Sequence, residues 1–147
     1  MGNLNTDVQM LSNKIDQIVS EAKYLSIYEF IQQGLKITTI RRFTQKQKGI
    51  FAISTDILRD ICVVIDRNKN TDSSYLYELN YILQCFVNDH IDIFDTQVLT
   101  KIGITRGTLE NMRKNKYGCP YNISTLVKYA KLIDDWREKY YEKSVQA

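Results

Sequence analysis

The chain has 147 residues, enough for one ordinary domain or two small units around a shared core, and its 44% hydrophobic and 11% aromatic residues exclude a disordered chain. Net charge is only +3, but it is unevenly spread: residues 36–48 hold five Lys or Arg and no acid, residues 101–116 hold five against Glu110, and these two islands carry +9 against −6 elsewhere. No apolar run approaches the roughly 18 residues of a membrane span, and the chain has no GxGxxG, Walker-type Gly-Lys-Ser/Thr, HExxH or GxSxG signature that would point to an enzyme.

In chain order, Leu11, Ile15, Ile18, Val19 and Ala22 recur at helical spacing and predict a first amphipathic helix. "KYLSI" follows as a short extended piece. Ser26 with Glu29 three positions on is a capping pattern that opens a second helix. Gly34 ends it, because glycine accepts the left-handed conformation at a helix C-terminus. A third helix starts at about Lys36. Ile40 and Phe43 are its buried face, expected against helices two and four. "GIFAI" is loop or short strand, and "STDILRDICVVI" is a fourth helix.

"DRNKNTDSS" (66–74) is polar, rich in turn formers, and reads as a linker. The order then recurs. Leu76, Leu79, Leu83, Phe86 and Val87 form a helical stripe; "HIDIF" alternates like a strand; Asp95 is a cap and Gly103 a helix stop. A third helix begins at about Thr105, with Leu109 and Met112 facing the core. "YGCPYNI" is loop or strand, and "STLVKYAKLI" is a helix. Trp136, Tyr140 and Tyr141 follow at helical spacing and are expected to pack between units or at a dimer contact. His90, the only histidine, is expected in a structural or solvent-facing role.

The recurrence is a sequence repeat. Laying Gly34 on Gly103 pairs Leu35 with Ile104, Thr39 with Thr108, Ile40 with Leu109, Phe43 with Met112 and Gly49 with Gly118. A one-residue adjustment in the following loop brings Leu58, Cys62, Ile65 and Asp66 onto Leu126, Ala130, Ile133 and Asp134. Upstream, Leu11, Ile15, Ile18 and Val19 fall on Leu79, Leu83, Phe86 and Val87. The expected fold is therefore mainly α and internally duplicated, a pseudo-two-fold internal dimer. Its units are residues 1–68 and 69–147, sharing one core, with loop or short antiparallel strands at the centre. Cys62, Cys85 and Cys119 are odd in number and never in a CxxC arrangement, which reads as reduced thiols of a cytoplasmic protein, two of them in the core.

Two short helices joined by a Gly-containing turn are the helix-turn-helix arrangement. Its third helix buries one face and offers long polar side chains at i, i+1, i+4 and i+5 to base edges in the major groove. In the first unit that face is Ile37, Thr38, Arg41 and Arg42, with Thr39 alongside; in the second it is Arg106, Gly107, Glu110 and Asn111, with Thr108 alongside. Thr105 caps the second of these helices, whose N-terminus attracts a phosphate. Lys46 and Lys48, and Arg113, Lys114 and Lys116, stand where they can straddle the DNA backbone. No cofactor, metal ligand set or catalytic residue is expected.

"VLTKIGITRGTLENMRKNKYGCPYNISTLVKYAKLI" resembles the phage-repressor (Cro/CI, or Xre-type) helix-turn-helix family over residues 95–133. The first unit, "FIQQGLKITTIRRFTQKQKGIFAISTDILRDICVVI", departs from that pattern, with Lys36 at the capping position and apolar Ile37 on the base-reading face. Two such units in one chain are also similar to the TraN family of small transfer proteins of Gram-positive conjugative plasmids. That resemblance implies an internal-dimer fold with central antiparallel strands and double-stranded DNA near a transfer origin as the partner. It also implies a relaxase or other transfer proteins as further partners. The implied role is relaxosome accessory; a phage- or plasmid-type repressor, or a protein-binding inhibitor on the same scaffold, are the alternatives. The chain would act as a monomer with its internal pseudo-dimer, or as a homodimer.

Overall fold

The apolar stripes dictate the architecture, since each helix has one face to remove from water. The computed structural model describes residues 4–45, 53–69, 74–91, 100–101, 103, 107 and 122–141. Its helices are α1 (Leu4–Lys23), α2 (Ile27–Gln32), α3 (Ile37–Gln45), α4 (Thr55–Asn68), α5 (Ser74–Phe86) and α6 (Ile123–Trp136). A π-helical turn continues α5 over Val87–Ile91 and another continues α6 over Arg137–Tyr141. Among the described residues there is no strand, and none of the helices is long and apolar enough to cross a membrane. Among these residues the one antiparallel bridge pairs Ser54 with Asn122, where the Ile123 N–H donates to the Ile53 carbonyl at 2.8 Å.

One continuous core joins both halves of the sequence. Leu11, Ile15 and Ile18 of α1, Leu58, Ile61 and Cys62 of α4, Leu79, Leu83 and Phe86 of α5, and Leu126 and Ile133 of α6 all belong to it. α5 is the central element, lying against α1, α4 and α6. Burial repeats along the chain. Leu79, Ile82, Leu83 and Phe86, the buried residues of α5, stand 68 positions after Leu11, Lys14, Ile15 and Ile18, all buried in α1. Ile123, Leu126, Ala130 and Ile133 of α6 stand 68 after Thr55, Leu58, Cys62 and Ile65 of α4, again all buried. α4 and α6 each have 14 residues.

Their starts are built alike. Ser54 and Asn122 are N-caps in extended conformation, accepting from the N–H groups of Asp56 and Ser124. Each satisfies one of the donors that a helix start leaves without an intrahelical partner. α6 therefore begins at Ile123, slightly before the predicted "STLVKYAKLI".

Polar contacts tie the halves together. Asp66, expected in the linker, is buried in the last turn of α4. Its two carboxylate oxygens accept from the N–H groups of Tyr75 (2.9 Å) and Leu76 (3.1 Å) at the start of α5. It offsets both the unpaired donors and the positive end of that helix. The Lys14 ammonium pairs with Glu78 across α1 and α5, and also contacts Gln17. Arg59 Nε donates to Asn80 between α4 and α5 at 2.9 Å.

Two extended pieces expected from the sequence are not extended where the structure describes them. "KYLSI" is a turn, in which Tyr24 and Leu25 donate to the Glu21 and Ala22 carbonyls before Ser26 caps α2. The start of "HIDIF" is helical, because His90 and Ile91 continue α5 as its π turn; 92–94 lie outside the described residues, as do Asp95 and "GI" and "FA" of "GIFAI". Cys62 is buried and free, and Cys85 is free and only half-buried; Cys119 lies outside the described residues. Burial pushes the Cys62 thiol up, and the Asp66 carboxylate acts in the same sense.

The end of α2 shows why glycine is needed there. Gly34 has φ +93°, its N–H donates to Ile31 at 2.9 Å, and the Leu35 N–H reaches back to Phe30 at 3.0 Å. This is a Schellman motif, with Leu35 and Phe30 both buried beneath it. A Cβ at Gly34 would meet nothing within 4 Å, so the constraint is backbone conformation alone. Gly34→Ala is expected to cost about 1–2 kcal/mol in urea unfolding, with Gly34→Asn milder. An Ala variant as stable as the parent would show that the turn tolerates an ordinary residue.

Candidate nucleic-acid interface

The α2–α3 pair is joined by Gln33, Gly34, Leu35 and Lys36. α3 is amphipathic: Ile40 and Phe43 are 3% and 2% exposed, and the helix lies mainly against α2, as expected, and against α1 in place of the expected helix four. The buried Phe30 of α2 joins the same core. The other face of α3 is open. Thr38, Arg41 and Arg42 are exposed, as is Lys36 just before the helix, and Ile37 is 41% exposed. Thr39 lies half-buried on the flank between the two faces. Thr44 bonds its hydroxyl back to the carbonyls of Ile40 (3.0 Å) and Arg41 (3.2 Å), so it serves its own helix.

The charge on this face is uncompensated locally. α3 contains no acidic residue, and among the described residues Lys36, Arg41 and Arg42 have no carboxylate within ion-pair distance. Compact cation pairs without acidic neighbours raise a positive potential that attracts polyanions. Arg41 also borders a shallow pocket with Lys23, at the last turn of α1.

The second predicted site is described at few positions. Gly103 has φ +100°, and its N–H donates to the Thr100 carbonyl at 3.2 Å, matching the Gly34–Ile31 contact 69 residues earlier. Gly107 is helical and exposed. Thr105, Arg106, Thr108, Glu110, Asn111, Arg113, Lys114 and Lys116 lie outside the described residues, as do Lys46 and Lys48 of the first unit.

One cluster was not foreseen from the sequence. His90 is fully buried, with Nε2 at 2.6 Å from Asp7 Oδ2 and Nδ1 at 3.2 Å from Asp134 Oδ1. Phe86 covers the ring at 5.8 Å between centroids. Arg137 stands 3.5 Å from Asp134 and donates to the Asp89 carbonyl at 3.3 Å. The cluster joins α1, the π turn of α5 and α6. Its partners are 83 and 44 residues from His90, so no local pattern announces it. No potential metal cluster of three or more His, Cys, Asp or Glu occurs among the described residues, and this one reads as a structural clasp. Comparison of the chain with protein-family models, with curated proteins and with solved structures finds no match.

Proposed function

We propose that the protein binds double-stranded DNA through two helix-turn-helix elements, one in each half of an internally duplicated chain. The observation that carries this reading is α3 itself: a helix anchored by Ile40 and Phe43 that follows a left-handed glycine turn and leaves Ile37, Thr38, Arg41 and Arg42 open. That is the arrangement by which a helix enters a major groove while basic side chains hold phosphates.

Duplication is supported by more than sequence. Gly34 and Gly103, at matching places in the repeat, share the left-handed conformation. Ser54 and Asn122, also matching, cap equal-length helices and bridge to each other. A residue that faces its own counterpart in an antiparallel bridge is what a two-fold axis produces. Asp66 and Asp134 occupy matching places as well: Asp66 accepts from Tyr75 and Leu76 of the other half, and Asp134 meets His90, whose other ring nitrogen meets Asp7 of the first half. The resemblance to phage repressors and to the TraN family extends the proposal to an accessory or regulatory role in a mobile element, at a transfer origin or a promoter.

The two heads are expected to differ. Arg106 and Asn111 can pair bidentately with guanine and adenine, whereas Ile37 occupies the corresponding slot of the first head. At a cognate duplex selected from a random pool, Arg106→Ala or Asn111→Ala should cost roughly 1–3 kcal/mol and leave random DNA almost unaffected. Lys46→Ala should weaken both duplexes by similar factors. Were Arg106→Ala to weaken both equally, Arg106 would be a phosphate contact and the assignment wrong.

A further inference from the structure

We infer that the first head reads thymine, through Ile37 packing on the C5-methyl group that thymine alone displays in the major groove. This rests on the proposed DNA binding and names the base chemistry that α3 would recognise. A lone surface isoleucine is ordinary; the place of this one is not. Ile37 opens α3 and is 41% exposed, while Ile40 and Phe43 on the same helix are 3% and 2% exposed. Core packing therefore leaves much of the side chain uncovered. Around it stand Lys36, Thr38, Arg41 and Arg42, all exposed, and among the described residues the three cations have no acidic partner. A surface so charged is complementary to DNA phosphates, and an apolar group set within it will face whatever the phosphates flank.

The major-groove floor offers one apolar group, the thymine methyl. Ile37 suits that contact in a second way. A β-branched isoleucine in a helix is held largely in one χ1 rotamer, so it presents a fixed surface and loses little freedom on contact. Thr38 adds a second β-branched methyl beside it. The same position of the second head carries Arg106, which would favour guanine. The two heads of one chain thus prefer different bases, and the preferred site is an imperfect rather than a perfect inverted repeat.

The test removes the methyl without altering hydrogen bonding. The full chain is titrated against a fluorescent A·T-rich duplex, the same duplex with deoxyuridine replacing thymine, and a G·C-rich duplex of equal length, at fixed salt. Each methyl that Ile37 covers should be worth about four-fold in affinity, so the deoxyuridine duplex should bind at least that much more weakly. In Ile37→Ala, checked for unchanged helicity, the difference between the two A·T duplexes should shrink by about four-fold. Equal binding of the thymine and deoxyuridine duplexes by the parent chain overturns the inference, as does an Ile37→Ala variant that keeps the full difference. Failure to bind any of the three duplexes removes the proposed function itself, and this inference with it.

Discussion

Replacing His90 with Ala is expected to destabilise the protein by about 3–5 kcal/mol, the usual cost of leaving a buried carboxylate without its partner. His90 has no exposed side-chain surface, and the Asp7 and Asp134 side chains are 8% and 23% exposed. Without the imidazole, two carboxylates from different helices are left with no ring between them. The loss would be felt at the contact that fastens the start of α1 to α6, far along the chain. Equilibrium urea unfolding measures it. His90→Gln, which keeps a side-chain donor and acceptor, should lose less than His90→Ala. A loss below about 1 kcal/mol in the Ala variant would make the cluster incidental.

Cutting the chain between its halves should have a still larger effect. Fragments 1–68 and 73–147, expressed separately, are expected to be unfolded or to self-associate. α5 of the second half lies against both α1 and α4 of the first, so separation would expose Leu11, Ile15, Leu58 and Ile61 on one fragment and Leu79, Leu83 and Phe86 on the other. It would also remove Asp66 from the N-terminus of α5 and Asp7 from His90. Units of about 70 residues bury a smaller share of their surface than larger domains do, even when intact. Circular dichroism and sedimentation of each fragment decide the matter; two stable monomers that ignore each other would contradict a shared core.

Helices were legible wherever burial is one-sided. The stripes Leu11–Ala22 and Leu76–Val87, the Ser26 cap and the Gly34 stop all announce themselves within a few residues, because propensity, capping and periodicity are local. Where they are described, the extended pieces misled for the same reason. "HIDIF" alternates, yet His90 is drawn into the helix, where both ring nitrogens meet carboxylates from other elements. Asp66 looked like a linker residue because Arg, Asn and Lys follow it, while its role as cap to α5 depends on a fold-back of nine residues. At the candidate interface, the exposed positions Thr38, Arg41 and Arg42 were readable from helical spacing; that α3 leans on α1 rather than on α4 was not, since inter-helix packing is settled by long-range contacts.

The most direct measurement of DNA binding is the affinity of the full chain for random duplex DNA as a function of salt, followed by fluorescence anisotropy. If both basic islands engage the backbone and neutralise about six to eight phosphates, the log–log slope should be roughly −5 to −7. Lys46→Ala with Lys48→Ala, or Lys114→Ala with Lys116→Ala, should flatten it. A slope near zero, or no measurable binding at low salt, would contradict duplex binding and favour a protein-binding module on the same scaffold.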